Sequence, residues 1–120
     1  KILGGAMRQA GVLAAAGLHA LEHNVARLAD DHANAERLAA GLVRNGGLRV
    51  EPPQTNMVFV HVPPDRAGTL VAHLRAQGVL ALPGARMRLA THLDVDARGV
   101  DRAIAAFGAF FREHAPSVLK

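Results

Sequence analysis

The stretch Asn56 to Val62 (NMVFVHV) constrains this chain more than any other, being dense in β-branched and aromatic residues and bracketed by Pro52-Pro53 and Pro63-Pro64. Such residues fit a pleated, half-buried surface, and prolines end extended runs, so a strand is predicted there. The flanking pattern is helical. Leu18, Leu21, Val25, Leu28, Ala35, Leu38 and Leu42 recur at gaps of three, four or seven, with alanine filling between them. One unbroken helix from about Gln9 to Arg44 would exceed ordinary globular lengths, which predicts a break near Glu22 to Asn24 with Asn24 capping the second segment. Asn45, Gly46 and Gly47 stop that segment, and Leu48 to Val50 is a short extended piece.

After the central strand, Pro64 and Asp65 open a helix that carries Leu70, Val71 and Leu74 and stops at Gln77-Gly78. Val79 to Leu82 and Met87 to Ala90 read as strands on either side of the Pro83-Gly84 turn. Asp96 to about His114 reads as a final helix with Val100, Ile104, Phe107 and Phe111 on one face. The order predicts an α/β fold: a long N-terminal helical segment, then a small three- to four-stranded sheet covered by helices.

A chain of 120 residues supports one core. Half of the residues are hydrophobic, which excludes a disordered tail. With four Phe and no Trp or Tyr, the core falls to Ala, Leu and Val. The absence of Cys excludes a disulfide scaffold, thiolate catalysis and Cys-ligated zinc. The net charge of +4 comes from singly scattered arginines without an aromatic stacking platform, which argues against a nucleic-acid partner. No 18-residue apolar stretch exists to span a membrane. Gly11 to Leu21 has the look of a signal-peptide apolar region, but His19 interrupts it, no clear cleavage site follows, and the helical pattern continues. Because the first residue is Lys rather than Met, the chain is expected to begin inside a longer protein.

Three places invite chemistry. His19-Ala-Leu-Glu-His23 fits the H-x-x-E-H pattern of some zinc peptidases, yet two His do not close a zinc site, and a pair of surface histidines is the plainer reading. Lys1-Ile-Leu-Gly-Gly-Ala-Met-Arg8 sets two cations around a small-residue turn that opens a helix, an arrangement that suits a phosphate as well as it suits a plain glycine turn. Arg88 sits between Met87 and Leu89 at a strand end, where a guanidinium either snorkels to solvent or meets an anion such as a carboxylate. His92 and Asp94 in the following turn are expected to pair locally.

Taken together, Gly4 to Leu42 (GGAMRQAGVLAAAGLHALEHNVARLADDHANAERLAAGL), Thr55 to Val60 (TNMVFV) and Met87 to Val95 (MRLATHLDV) closely resemble the C-terminal part of bacterial low-specificity L-threonine aldolases. Ala6 stands where that family usually has a third glycine. The resemblance implies a pyridoxal-phosphate enzyme of the aspartate-aminotransferase fold, in which residues 1–23 bridge to a large domain absent from this chain and residues 24–120 form the C-terminal small domain. It implies cleavage of threonine or allo-threonine to glycine and acetaldehyde in a cytoplasmic homotetramer built as a dimer of dimers. Arg88 matches the arginine that binds the amino-acid substrate's α-carboxylate, and Arg8 and Lys1 match basic positions bordering the cofactor site of a neighbouring subunit. The Schiff-base lysine falls upstream of Lys1, so the chain alone is expected to be inactive. The alternative is a stand-alone α/β interaction or binding domain without catalysis.

Overall fold

Four α-helices, a short 3-10 turn at Pro64–Arg66 and three strands make up the computed structural model, which describes residues 4–5, 7–46 and 48–114. In chain order they are α1 (Ala10–His23), α2 (Leu28–Gly46), β1 (Arg49–Val50), β2 (Met57–His61), α3 (Ala67–Ala76), β3 (Arg86–Ala90) and α4 (Ala97–Glu113). The strands form one antiparallel sheet in the order β1-β2-β3. Val58 pairs with Leu89 and Val60 with Met87, and these four side chains point into the core to which α2, α3 and α4 also contribute. Met57, Phe59 and His61 pair with Ala90, Arg88 and Arg86 on the outer face. The period of two thus separates an apolar inner face from an outer one that bears the charges.

The helices form for local reasons and persist because of burial. Asp96 adopts extended backbone before α4 and accepts the Gly99 N–H at 2.7 Å, satisfying one of the helix's orphan donors. Val100, Ala103, Phe107 and Phe110 then line the buried face of α4, with the predicted Ile104 and Phe111 half-buried at its flanks. On α2, Ala35, Leu38, Ala39 and Leu42 repeat at helical spacing and are buried. The two helices come close enough at Gly41 that a Cβ there would lie 2.4 Å from Ile104 Cδ1. Gly78 ends α3 with φ +74°, a conformation that costs glycine little and other residues more.

Two expectations need correction. Asn24 is the C-cap of α1, its N–H bonded to Ala20 O, and α2 starts four residues later at Leu28. The break falls where it was expected, but the capping chemistry belongs to the helix before it. Val79 to Leu82 joins no ladder, so that segment is not a strand and the sheet has three strands, within the expected three to four. Val79 and Ala81 pack on the core while Leu80 and Leu82 project outward at 78% and 76% exposure, so the strand-like alternation is present without a partner strand among the described residues. The apolar stripe Leu18, Leu21, Val25 and Leu28 is also exposed, and α1 has no buried residue at all. Periodicity reveals that a helix has an apolar side, not what covers that side.

Two outcomes test this packing. Gly41→Ala should lower stability by about 1–2 kcal/mol in thermal unfolding despite alanine's better helix propensity, because Ile104 must be displaced. Gly68→Ala in α3, where nothing stands within 4 Å of the new methyl, should be neutral or stabilising by up to about 1 kcal/mol. Separately, the chain should bind an apolar dye such as ANS, and removing residues 1–23 should abolish most of that signal.

Candidate functional site

The site is built on β3 and the turn that follows it. Thr91, 1% exposed, donates its hydroxyl to the Asp31 carbonyl at 2.7 Å, and its N–H donates to the Asn56 carbonyl at 2.9 Å. Asn56 returns a bond from Nδ2 to the Thr91 carbonyl at 2.7 Å. Asp31 is buried and held by Arg27 through 2.7 and 3.1 Å contacts. The end of β3 is thereby tied both to β2 and to the first turn of α2. Asn56 and Thr91 thus meet as a polar clasp.

Arg88 emerges from the outer face just before that clasp and is exposed, because the pleat sends Met87 and Leu89 inward and the guanidinium out. It lines a cleft of about 520 Å³ with Leu80, Thr91, His92, Asp94 and Arg102. Among the described residues it takes part in no ion pair or side-chain hydrogen bond. His92 and Asp94 pair locally as expected, the Asp94 N–H donating to His92 Nδ1 at 3.3 Å. The cleft therefore offers donors without a bound acceptor, which suits a small anion.

Sequence reasoning missed the other half of this face. Arg86, two residues before Arg88, crosses β2 to make paired bonds of 2.7 Å to both oxygens of Glu51, and its guanidinium lies 3.7 Å from the centre of the Phe59 ring. His61 Nε2 contacts Glu51 at 2.9 Å. These donors, Arg86 first, hold the Glu51 carboxyl down to about 2 from an ordinary 4.5, and Glu51 raises Arg86 in turn. Glu51 and Arg86 are 35 residues apart, and no local motif joins them.

The other expected residues lie elsewhere. Arg8 is exposed in the turn before α1, whereas Lys1 and Ala6 fall outside the described residues. His19 and His23 stack at 4.3 Å on exposed α1, His23 Nδ1 donating to the His19 carbonyl at 3.0 Å. No group of three or more potential metal ligands is found among the described residues. No described helix is long and apolar enough to cross a membrane.

The structure is thus a small antiparallel sheet covered on one side by helices, with Arg88 exposed on the other. A solved structure named for an aminotransferase of Burkholderia pseudomallei superposes with a TM-score of 0.58 over 69% of this chain and 26% of its own, at 22% identity, which establishes the shared fold. Residues 1–64 match the beta-eliminating lyase family, and the chain belongs to it. It is 44% identical over 110 residues to the low specificity L-threonine aldolase of Escherichia coli K12, covering 92% of this chain and 33% of that protein. The low-specificity L-threonine aldolase 1 of Arabidopsis thaliana is 37% identical over 114 residues, covering 89% of this chain and 32% of that protein. The chain thus spans about a third of the length of the curated relatives it matches.

The Glu51 cluster yields a pH prediction. Because its folded pKa is depressed, the ion pair's contribution is complete above about 4.5 and fades as pH falls through about 2. A carbon-detected titration should place the Glu51 midpoint near 2, and Arg86→Gln should move it back toward 4.5.

Proposed function

We propose that this chain is the C-terminal part of a pyridoxal-phosphate-dependent L-threonine aldolase that cleaves threonine or allo-threonine to glycine and acetaldehyde. Residues 1–23 bridge to the large domain, and residues 24–120 are the small domain that closes the site. The observation that carries this reading is Arg88: a cation without a partner, facing a cleft, in a chain 44% identical to such an enzyme. Further support comes from α1, whose Met7-to-Leu28 region exposes seven large apolar side chains of the kind a second domain or subunit covers.

Arg88 holds the α-carboxylate through paired N–H donors, fixing one end of the amino acid while the β-carbon remains free to leave as aldehyde. The polar clasp at Thr91 keeps the strand, and hence the guanidinium, in place. His92 and Asp94 contact one another within the turn. The bound cofactor supplies an electron sink for the carbanion left at the α-carbon. The chain's two lysines, Lys1 and Lys120, both lie outside the described residues, and the lysine that attaches the cofactor belongs to the large domain. Exposed Arg8, beside the start of α1 with Gly4 at φ +84°, fits a bordering role toward the phosphate, shared with Lys1 and directed at the neighbouring subunit of a homotetramer. The enzyme works in the cytoplasm.

In the complete enzyme, Arg88→Ala should lower kcat/KM for threonine roughly 10- to 150-fold, the equivalent of about 1.5–3 kcal/mol for a charge-assisted contact. Arg88→Lys should recover part of this, since an ammonium lacks the planar fork. Cofactor absorbance should stay at the parental level. A change within twofold for Arg88→Ala would remove the carboxylate role.

A further inference from the structure

Among the described residues two polar side chains are buried, Asp31 at 3% and Thr91 at 1% exposure, and these two residues touch. The Thr91 hydroxyl donates to the Asp31 carbonyl, which joins the first turn of α2 to the end of β3 just beyond Arg88. An apolar pair of similar size would fill the same space without the cost of desolvating a carboxylate. What the polar pair adds is a fixed geometry.

The Asp31 carboxylate is answered from the other side by Arg27, whose guanidinium donates to both oxygens while its side chain stays a quarter exposed. Arg27 closes the turn 24–27 that joins α1 to α2. Its carbonyl also accepts the Asp30 N–H at 2.9 Å, so backbone and side chain together hold the turn to the start of α2. Since α1 has no buried residue, it meets the rest of the chain chiefly through this turn. A continuous series of contacts therefore runs from the end of α1 through Arg27, Asp31 and Thr91 to the strand that carries Arg88.

We infer that Arg27 and Asp31 are positioning residues of the substrate site: their ion pair locks the first turn of α2 against the end of β3, and so sets where Arg88 stands relative to the domain that α1 bridges to. This rests on Arg88 holding the α-carboxylate and on residues 1–23 bridging to the large domain. A planar guanidinium gripping two oxygens fixes direction as well as distance. Without that grip the Asp31 carbonyl is released from its alignment with the Thr91 hydroxyl, and the strand end gains freedom. Neither residue touches substrate. A carboxylate contact made equally in ground and transition states contributes to KM rather than to kcat, so a displaced Arg88 is read mainly in KM.

The test uses the complete holoenzyme with Arg27→Gln and Asp31→Asn combined, which removes both charges together and leaves neither buried without a partner. KM for threonine should rise about tenfold while kcat stays within about twofold and cofactor absorbance stays parental. Adding the same pair to Arg88→Ala should change kcat/KM less than about twofold, because the group they position is no longer there. General loosening of the fold would instead lower kcat/KM by the same factor in both backgrounds. Arg27→Lys keeps a charge opposite Asp31 without the two-pronged grip, and serves if the paired variant folds poorly. It should raise KM about threefold to fivefold, again with no further effect in Arg88→Ala. A KM within twofold of the parent in the folded variant would overturn the inference, and so would a loss that repeats in the Arg88→Ala background. Either failure leaves the carboxylate reading standing. Parental activity of Arg88→Ala itself would remove that reading and this inference with it.

Discussion

Everything on the functional face depends on where β3 stops, and a single buried hydroxyl sets that point. Thr91 bonds to the Asp31 carbonyl from α2 and shares a reciprocal pair of bonds with Asn56. A buried hydroxyl without partners would cost about 1–3 kcal/mol, so the strand end settles only in the alignment that satisfies it. In a pleated strand a slip of one residue exchanges the two faces. It would bury Arg88 among the core valines and turn Met87 and Leu89 to solvent. The clasp therefore decides which residues are core and which belong to the site, although it touches no ligand itself.

The elements with strong local signals were legible in the sequence. The β-branched run gives β2, the Asp96 cap and the spacing of Val100 and Phe107 give α4, and the glycine after Gln77 ends α3. What could not be read was long-range. Val79 to Leu82 has a strand's composition, but a strand is a pairing, and its alternation records only that one side meets the core. Asn24 caps backward rather than forward because a cap residue can serve either neighbouring helix end. For Arg88, the apolar run left open whether the guanidinium snorkels or meets an anion, and the pleat places it on the exposed face.

The candidate site was half legible for the same reason. Arg88 and the Thr91-His92 turn lie in one continuous segment, so their neighbourhood could be recognised as a unit. Glu51 and Arg86 come from different strands, and nothing near either residue announces the other. The aldolase resemblance located the arginine that faces the cleft. It was silent about the one that is turned away.

The most extensive helix contact in the molecule joins α2 to α4, elements from opposite ends of the small unit. During synthesis this order has a temporal consequence. Leu42 leaves the ribosome about 55 residues ahead of Ala97, the start of the helix that covers it. At roughly 5–20 residues per second, that leaves the α2 stripe uncovered for roughly 3–11 s. Over that interval the nascent chain carries Ala35, Leu38 and Leu42 without their native neighbours, alongside an α1 that this segment never covers. The newborn polypeptide therefore needs its apolar surfaces shielded by elements made earlier, by a chaperone or by a neighbouring chain until the last helix arrives.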